Sequence, residues 1–517
     1  MLVGVVGAAP LSMPTPPDPV WGWTLAWVGA WPIAIGLTIA AIACIGSPAL
    51  RPSRRDWLVV AGVLAGALAL RLGLGVWAPL HINGQGALWI GAAAGRPSML
   101  VGYGPGYAEL FASLTSGFPR APDVAIFTAN AVLSACVPVI AFMLGRVAGL
   151  PRDRAGFAAT ILIVDPIAVR FSATESYFVP IIALTAAATT AIAASVRTEA
   201  PWRRVALLAA AAAFAVQTAR IHPVAWIPVA LCPLGALLPA ASLGRRVASV
   251  VVATLVVAIA VASTSAGWIA TLGGHATRYG DTVLQQAGRA WVLVLIASAF
   301  VLARSRHWPL VVVATVALLA DAVLRPVYGQ SAVWQGCFDR LFLVTPVVAI
   351  AATIPSGLFG TNLRRMFTGG VVTAALIAGW PLREATAEQL EYRWLAAEFA
   401  RLDPGCRVAS LSRTGQRVHY VPWYALATDT VGPTPTRWIS IRDPAALIAA
   451  TAGGRCVIWA HTSLCESAEA RPLCTAIEHA VVLEELASVR LPAIPSADPY
   501  PYDVDPVRVS LQRAWPR

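Results

Sequence analysis

The sequence predicts an all-α polytopic membrane protein with about twelve transmembrane helices and a soluble α/β domain at its C-terminus. Three observations predict this fold class. Hydrophobic residues make up 57% of the 517 positions, and they are grouped in long segments. Charged residues make up only 12%, whereas soluble domains usually carry about twice that share. After Pro381 the composition becomes that of an ordinary soluble domain.

These observations divide the chain into three regions. Residues 1–20 are expected to form a disordered tail, because Pro interrupts their apolar run and no positive charge precedes it as in a secretory signal. Residues 21–381 are expected to form the transmembrane domain. Residues 382–517 are expected to form a C-terminal extracytoplasmic α/β domain.

The transmembrane region contains a series of apolar segments. A helix that crosses a bilayer needs about 20 mostly apolar residues, since its backbone groups must bond to each other in hydrocarbon. Several of the segments are short or contain Pro. They occupy 22–46, 57–78, 123–146, 155–171, 176–196, 203–219, 222–241, 246–264, 289–303, 308–325, 337–358 and 366–381.

Arginine is concentrated in alternate connections between these segments. Short cytoplasmic loops are enriched in positive charge, so the pattern predicts a multi-pass protein of the inner (plasma) membrane. Both termini and the connections 79–122, 265–288 and 326–336 are then expected to face outward. The net charge of +12 belongs to this pattern, and we expect the lipid bilayer and no nucleic acid as a partner. The Arg-rich connections contain Arg51, Arg54, Arg55, Arg146, Arg152, Arg154, Arg197, Arg203, Arg204, Arg245, Arg246, Arg304, Arg306, Arg364 and Arg365.

The C-terminal region has the patterns of a small α/β domain. Helical spacing of apolar residues predicts an amphipathic helix in EQLEYRWLAAEFARL, and AEARPLCTAIEHA is a second predicted helix. The segments CRVASL and CVIWAHT are predicted as short buried strands, and VVLEELASVRLPA and PVRVSLQRA as later strands. The patterns do not give the strand order.

Four Cys lie in this domain, at positions 406, 456, 465 and 474. In an oxidising compartment they could form disulfides, and Cys465 with Cys474 is the local candidate pair. Four buried free thiols are an alternative, and zinc is a weaker one because no CxxC spacing occurs. The domain's three His residues have no metal or triad spacing, so no catalytic role is assigned to them.

Ionisable residues near the outward connections are the candidates for chemistry, because charges at membrane depth are costly. The first outward loop is long and Gly-rich, and we expect it to contain two short interfacial helices. Three polar connections are expected to converge on one membrane face. The candidates are Arg71, His81, Glu109, Asp165, Arg170, Glu175, Arg220, His222, Asp321, Arg325, Asp339 and Arg340.

The order of several motifs resembles one known class of membrane enzymes. Leu70–Arg71, the long first outward loop, YGPGYAELF, DPIAVRFSATESYF and ARIHP occur in that order. This order is similar to the N-terminal half of the GT-C class of polyprenyl-phosphate-sugar-dependent glycosyltransferases, which includes protein O-mannosyltransferases and lipid A aminoarabinose transferases. The similarity covers about residues 57–380.

The resemblance implies transfer of a sugar from a polyprenyl-phosphate donor to an envelope glycan, lipid or protein. In this class an acid soon after the Arg-containing span acts as the base, but residues 72–95 contain no Asp or Glu. His81 and Asn83 stand about where the acid would be, and His can act as a base near neutral pH. The resemblance implies a second acid at Glu175, the strongest single candidate, and Glu109 could reach the same cavity.

The remaining roles concern the lipid phosphate. The resemblance implies that a basic or polar residue of ARIHP, Arg220 or His222, helps to hold it. Arg170 or Arg340 could also neutralise it, since a guanidinium matches phosphate geometry. Arg71 and Asn83 complete the predicted substrate-binding set. No cofactor is expected, and a divalent cation is left open.

Each assignment has a simpler structural alternative. Glu175 could pair with Arg170 or cap a helix, Asp165 could kink a helix before Pro166, and Arg220 could anchor in lipid headgroups. A catalytically inactive GT-C-like protein that assists envelope assembly or binds carbohydrate is the first rival function. A transporter is less favoured, because no internal repeat is evident and the polar residues cluster near one face.

Overall fold

The computed structural model of the protein describes a helical domain up to His275 and a C-terminal domain from Ala387. Within the helical domain it describes residues 33–43, 50, 52–80, 85–94, 106–118, 121–222, 225–239 and 241–275. Within the C-terminal domain it describes residues 387–411, 422–426, 437–493 and 504–517. The predicted spans 289–303, 308–325, 337–358 and 366–381 lie outside the described residues.

The helical domain is built from apolar helices of very different lengths. Local signals start several of them: Ser53 forms a capping box with Asp56, and Pro122 and Pro201 occupy first helical positions. In order, the helices are α1 (Ile33–Ala43), α2 (Arg54–Leu74), α3 (Gln85–Ala93), α4 (Gly106–Gly117), α5 (Pro122–Val147), α6 (Arg152–Val164), α7 (Pro166–Ser172), α8 (Phe178–Arg197), α9 (Pro201–Ala219), α10 (Trp226–Leu231) and α11 (Leu243–His275).

Among the described residues, four helices are long and apolar enough to cross a membrane. They are α2, α5, α8 and the part of α11 from Leu243 to Ser263. The structure corrects two predicted spans. Segment 155–171 is broken at Asp165, because Pro166 starts a new helix there, and segment 222–241 contains α10 followed by a 3-10 helix, Cys232–Leu237. The two short helices expected in the first outward loop are α3 and α4.

Four Arg-rich connections meet at one end of the helical domain, which we call the arginine end. Arg152 Nε donates to Asp56 Oδ1 at 2.8 Å, which joins the start of α6 to the start of α2. Arg197 donates to the carbonyl of Arg146, and Arg245 donates to the carbonyl of Thr198. These contacts bring together the connections that the alternation of Arg placed on one side.

The opposite end, which we call the loop end, consists of residues 75–80, 106–109, 172–177 and 220–222. The backbone N–H of Val76 donates to the Arg170 carbonyl, and that of Gly106 donates to the Arg220 carbonyl. The first helix of the C-terminal domain, α12 (Ala387–Phe399), also contacts this end: Tyr392 donates to Asp123 Oδ2 at 2.7 Å. The three polar connections and the C-terminal domain therefore lie on the same side of the bundle.

The C-terminal domain contains a five-stranded mixed sheet. The strands are β1 (Arg407–Leu411), β2 (Trp438–Ile441), β3 (Val457–His461), β4 (Val481–Leu491) and β5 (Val507–Pro516), in the order β2-β1-β3-β5-β4. Strand β1 is parallel to β2 and β3, whereas β5 is antiparallel to β3 and β4. The predicted strands are present, but β2 and the helix after it, α13 (Pro444–Thr451), were not predicted.

Both faces of the sheet are covered, because successive strand residues point to opposite sides. Val457 and Trp459 pack with Leu447 and Ile477 on one face, where α13 and α14 (Arg471–His479) lie. Ile458 packs with residues of α12 on the other face. Two disulfides link this domain, Cys406 to Cys456 and Cys465 to Cys474, and no four-thiol zinc site forms from these residues.

Candidate functional site

Glu175 lies in a fully buried turn between α7 and α8. Its side chain is 0% exposed, and Oε2 accepts a 2.7 Å hydrogen bond from the backbone N–H of Leu80. The phenol of Tyr107 donates to the Glu175 carbonyl, and Asn130 Nδ2 donates to the Thr174 carbonyl, each at 2.7 Å. The turn is thus fixed from α4 and α5, and the Glu175 carboxylate binds the loop that follows α2.

Glu109 and Arg220 form an ion pair at the loop end, between α4 and the end of α9. The Arg220 side chain is 12% exposed and that of Glu109 is 17% exposed, so the pair is partly open. Both are predicted site residues, and their opposite charges are in direct contact without being fully buried.

Backbone contacts bring this pair together. The Gly106 N–H donates to the Arg220 carbonyl at 2.9 Å, and Gln217 Nε2 donates to the Gly106 carbonyl at 2.8 Å. A Cβ at position 106 would lie 2.7 Å from the Arg220 carbonyl carbon, which is closer than real Cβ contacts. Glycine is therefore required for the N-terminus of α4 to approach α9, and Glu109 lies within the first turn of that helix.

A cluster of aromatic rings includes residues next to the Glu175 turn and to Arg220 in the chain. The Tyr177 and His222 rings are stacked, with centroids 4.4 Å apart and planes 4° apart. Trp89 contacts Tyr177 at 5.0 Å and Tyr107 edge-on at 4.7 Å. Aromatic pairs of this kind add stability beyond their burial, so the loop end has a rigid wall. The predicted residue His222 is part of this wall and is partly exposed.

Arg170 lies on α7 and is 8% exposed. Its Nη2 donates to Oε1 of Gln389 on α12 at 3.5 Å, the outer limit of a hydrogen bond. Asp165 is at the junction of α6 and α7, which agrees with the alternative that it accompanies a helix break. The structure therefore places Arg170 against the C-terminal domain.

Arg71, predicted to bind substrate, is buried between helices of the helical domain. Its side chain is 1% exposed and donates to Ser134 Oγ at 2.8 Å and to the carbonyls of Leu162 and Ile163. A guanidinium at this depth satisfies its donors with backbone carbonyls of α6, and it joins α2, α5 and α6. The predicted site residues His81, Asn83 and Arg340 lie outside the described residues.

Sequence reasoning missed several polar residues that organise the loop end. Gln389 and Tyr392 of α12 are 3% and 2% exposed, and Asp123 and Asn130 of α5 are 2% and 0% exposed. One signal could have identified them. Gln389 and Tyr392 are three positions apart in an amphipathic helix, and a polar group that shares a buried helical face requires a partner.

A second charged cluster lies within the C-terminal domain. His461 Nδ1 contacts Glu478 Oε1 at 2.5 Å, and Nε2 contacts Glu466 Oε1 at 3.2 Å. Burial lowers the pKa of His461, but hydrogen bonds to Glu466 and Glu478 and their charges raise it more, to about 9. The two Glu approach different ring nitrogens, and no described group of three His, Cys, Asp or Glu has the arrangement of a metal site.

No protein-family model and no curated protein matches the sequence. Among solved structures, apo ArnT from Cupriavidus metallidurans aligns with a TM-score of 0.49 and 11% identity, over 88% of this chain and 97% of ArnT. The apo oligosaccharyltransferase of Archaeoglobus fulgidus aligns with a TM-score of 0.47 and 10% identity, over 83% of this chain and 73% of that chain.

A third match is the arabinofuranosyltransferase AftD from Mycobacteria, with a TM-score of 0.46 and 16% identity, over 90% of this chain and 42% of that chain. These three solved structures are GT-C glycosyltransferases, the class that the motifs of this chain resemble. Every TM-score is below 0.5, so these similarities transfer no residue role and no substrate to this chain.

Proposed function

We propose that the protein is a membrane glycosyltransferase that moves a sugar from a polyprenyl-phosphate donor to an envelope acceptor. The observation that carries this proposal is the partly open Glu109–Arg220 ion pair, beside the buried Glu175 turn. Transfer from a lipid phosphate requires a base for the acceptor and a cation for the departing phosphate. This pair supplies one of each at the same end of the helical domain.

The reaction then proceeds in one displacement. Glu109 takes the proton of the acceptor hydroxyl as its oxygen bonds to the anomeric carbon of the sugar. The bond from that carbon to the phosphate oxygen breaks, and the electron pair leaves with the polyprenyl phosphate. Arg220 neutralises this phosphate, because a guanidinium presents five N–H donors and can bind a carboxylate and a phosphate together. Glu175 positions the loop, and His81 is retained as a second candidate base.

We also propose that the loop end faces outward from the inner membrane. The opposite, arginine end carries the positive charge expected on the cytoplasmic side. The two disulfides of the C-terminal domain, which contacts the loop end, suit an oxidising compartment. In intact cells, a membrane-impermeant biotin-maleimide should label a Cys introduced at exposed Glu485 and not one introduced at Arg245.

The function is tested by transfer of labelled sugar from a panel of polyprenyl-phosphate donors, in membranes with matched amounts of protein. Glu109→Gln is expected to lower kcat about a hundredfold, the lower range for loss of a general base. Arg220→Gln should raise the donor KM and lower kcat. Arg220→Lys should change both constants less, because it keeps the positive charge. Glu485→Gln is the matched control, since Glu485 forms an exposed ion pair with Arg508.

A noncatalytic role in envelope assembly or carbohydrate binding is the second candidate. Two observations favour it: residues 72–95 contain no Asp or Glu, and Glu175, whose carboxylate contacts this stretch at Leu80, is fully buried. A wild type that transfers no sugar from any donor, yet retains polyprenyl phosphate in a pull-down that Arg220→Gln weakens, would support this candidate over the enzyme.

A further inference from the structure

One peptide group at the loop end is held from both sides. The carbonyl of Pro79 accepts a 3.1 Å hydrogen bond from Nε2 of Gln389, on the first helix of the C-terminal domain. The N–H of the same peptide, contributed by Leu80, donates to Glu175 of the helical domain at 2.7 Å. The two parts of the chain therefore fix the plane of the Pro79–Leu80 peptide together.

The Gln389 amide makes a second contact in the same place. Its Oε1 accepts from Nη2 of Arg170, while its Nε2 donates to Pro79. An amide offers a donor and an acceptor on one planar group, whereas an ionised carboxylate only accepts and an apolar side chain does neither, so neither of these reproduces both contacts. Gln389 is 3% exposed and lies 310 positions from Pro79 in sequence.

Helix α12 is itself fixed in both directions. Tyr392 donates to Asp123 Oδ2 at the start of α5. Glu391 Oε2 accepts from the backbone N–H and the hydroxyl of Ser463, which follows β3 in the C-terminal sheet. Tyr392 and Glu391 are 2% and 1% exposed, so these contacts are desolvated. Helix α12 is therefore hydrogen-bonded both to the helical domain and to the C-terminal sheet.

We infer that Gln389 is a positioning residue of the transferase site: it sets the Pro79–Leu80 peptide and the Arg170 guanidinium relative to Glu175. The C-terminal domain thereby completes the loop end of the helical domain. As far as it concerns catalysis, this inference rests on the proposed function. The positioning itself is a property of the fold and has its own measurement.

The positioning is tested by hydrogen exchange of the Leu80 amide in the full-length protein in lipid nanodiscs. Gln389→Leu removes both contacts at similar volume and is expected to speed this exchange about tenfold, the effect of losing one buried hydrogen bond. Tyr392→Phe loosens α12 but keeps the side-chain amide of Gln389. It should change the exchange rate of the Leu80 backbone amide by less than about threefold. Gln512→Leu, on β5, is the matched Gln control.

The catalytic consequence is tested by the steady-state kinetics of the same variants. Gln389→Glu keeps an acceptor toward Arg170 and loses the donor toward Pro79. It should leave the donor KM within about threefold and lower kcat about tenfold, whereas Gln389→Leu should change both. A merely structural role would affect the two variants alike and would follow their melting temperatures.

The inference is overturned if Leu80 exchange is unchanged in Gln389→Leu, or equally fast in Tyr392→Phe. It is also overturned if both Gln389 variants turn over like the wild type. A wild type that transfers no sugar from any donor would defeat the proposed function alone, because the exchange measurement still decides whether Gln389 positions the peptide.

Discussion

Glu175 and Leu80, 95 positions apart in sequence, are joined by a 2.7 Å hydrogen bond from the Leu80 amide to the Glu175 carboxylate. Glu175 was the strongest sequence candidate for a functional carboxylate. The structure places this carboxylate in a fully buried turn between α7 and α8, where it accepts a backbone hydrogen bond from the loop that follows α2. Glu109, at the same end, has a side chain that is 17% exposed.

Substitution of Glu175 separates positioning from proton transfer. Glu175→Gln keeps an acceptor oxygen for the Leu80 amide and should retain sugar transfer within about threefold, whereas a lost base would cost at least a hundredfold. Glu175→Leu leaves that buried amide unsatisfied and should destabilise the protein by about 1–3 kcal/mol. Transfer assays and thermal unfolding in detergent measure both effects. Complete loss of turnover in Glu175→Gln at an unchanged melting temperature would make Glu175 the base.

Gly106→Ala tests the approach of α4 to α9. The added Cβ would lie 2.7 Å from the Arg220 carbonyl carbon, so α4 must move and the Glu109–Arg220 pair must lengthen. We expect a cost of about 1–3 kcal/mol and a loss of transfer like that of Arg220→Gln. Gly117→Ala, at the other end of α4, adds its Cβ in open space and is the control. If Gly106→Ala and Gly117→Ala both keep the stability and the sugar transfer of the wild type, neither property depends on the close approach of α4 to α9.

The two disulfides should contribute unequally to the stability of the C-terminal domain. Cys406 and Cys456 are 50 positions apart, and Cys465 and Cys474 are nine apart. Closing the longer loop removes more unfolded-chain entropy, so paired Cys→Ala substitutions should cost about 4 kcal/mol and about 3 kcal/mol respectively. Limited proteolysis of the domain across a denaturant series measures the difference. Equal or reversed costs would contradict the entropic explanation.

The His461 cluster should make the C-terminal domain lose stability in alkali. The folded pKa of about 9 exceeds the ordinary 6.5, so its contribution is complete below pH 6.5 and is lost as the pH rises through 9. The free energy of unfolding of the domain should fall by roughly 3 kcal/mol in total. The hydrogen bond to His461 lowers the pKa of Glu466, whose contribution is instead lost as the pH falls below its ordinary value of 4.5.

His461→Gln should flatten the stability of the domain between pH 6.5 and 9, as followed by proteolysis across that range. His479→Gln is the control, because His479 is an exposed residue at the end of α14. An alkaline loss that persists in His461→Gln, or one that disappears in His479→Gln, would show that another group is responsible.

Local patterns predicted much of the fold. The apolar segments became α2, α5 and α8, and the alternation of Arg predicted which connections meet at the arginine end. In the C-terminal domain, the short apolar runs predicted β1 and β3, and helical spacing predicted α12. These features are determined by the sequence itself, because helix length, strand alternation and charge placement depend on residues that are close together in the chain.

Other features were decided only by the tertiary structure. The sequence contains both Glu109 and Arg220, but their pairing depends on the backbone contact between Gly106 and Arg220. A local pattern also could not show that Gln389 bonds to Pro79 or that Arg71 bonds to backbone carbonyls of α6. Nor could it give the strand order β2-β1-β3-β5-β4. The physical reason is that a buried polar group requires a hydrogen-bond partner. The sequence shows which residues are polar, but it does not show which distant residue is the partner.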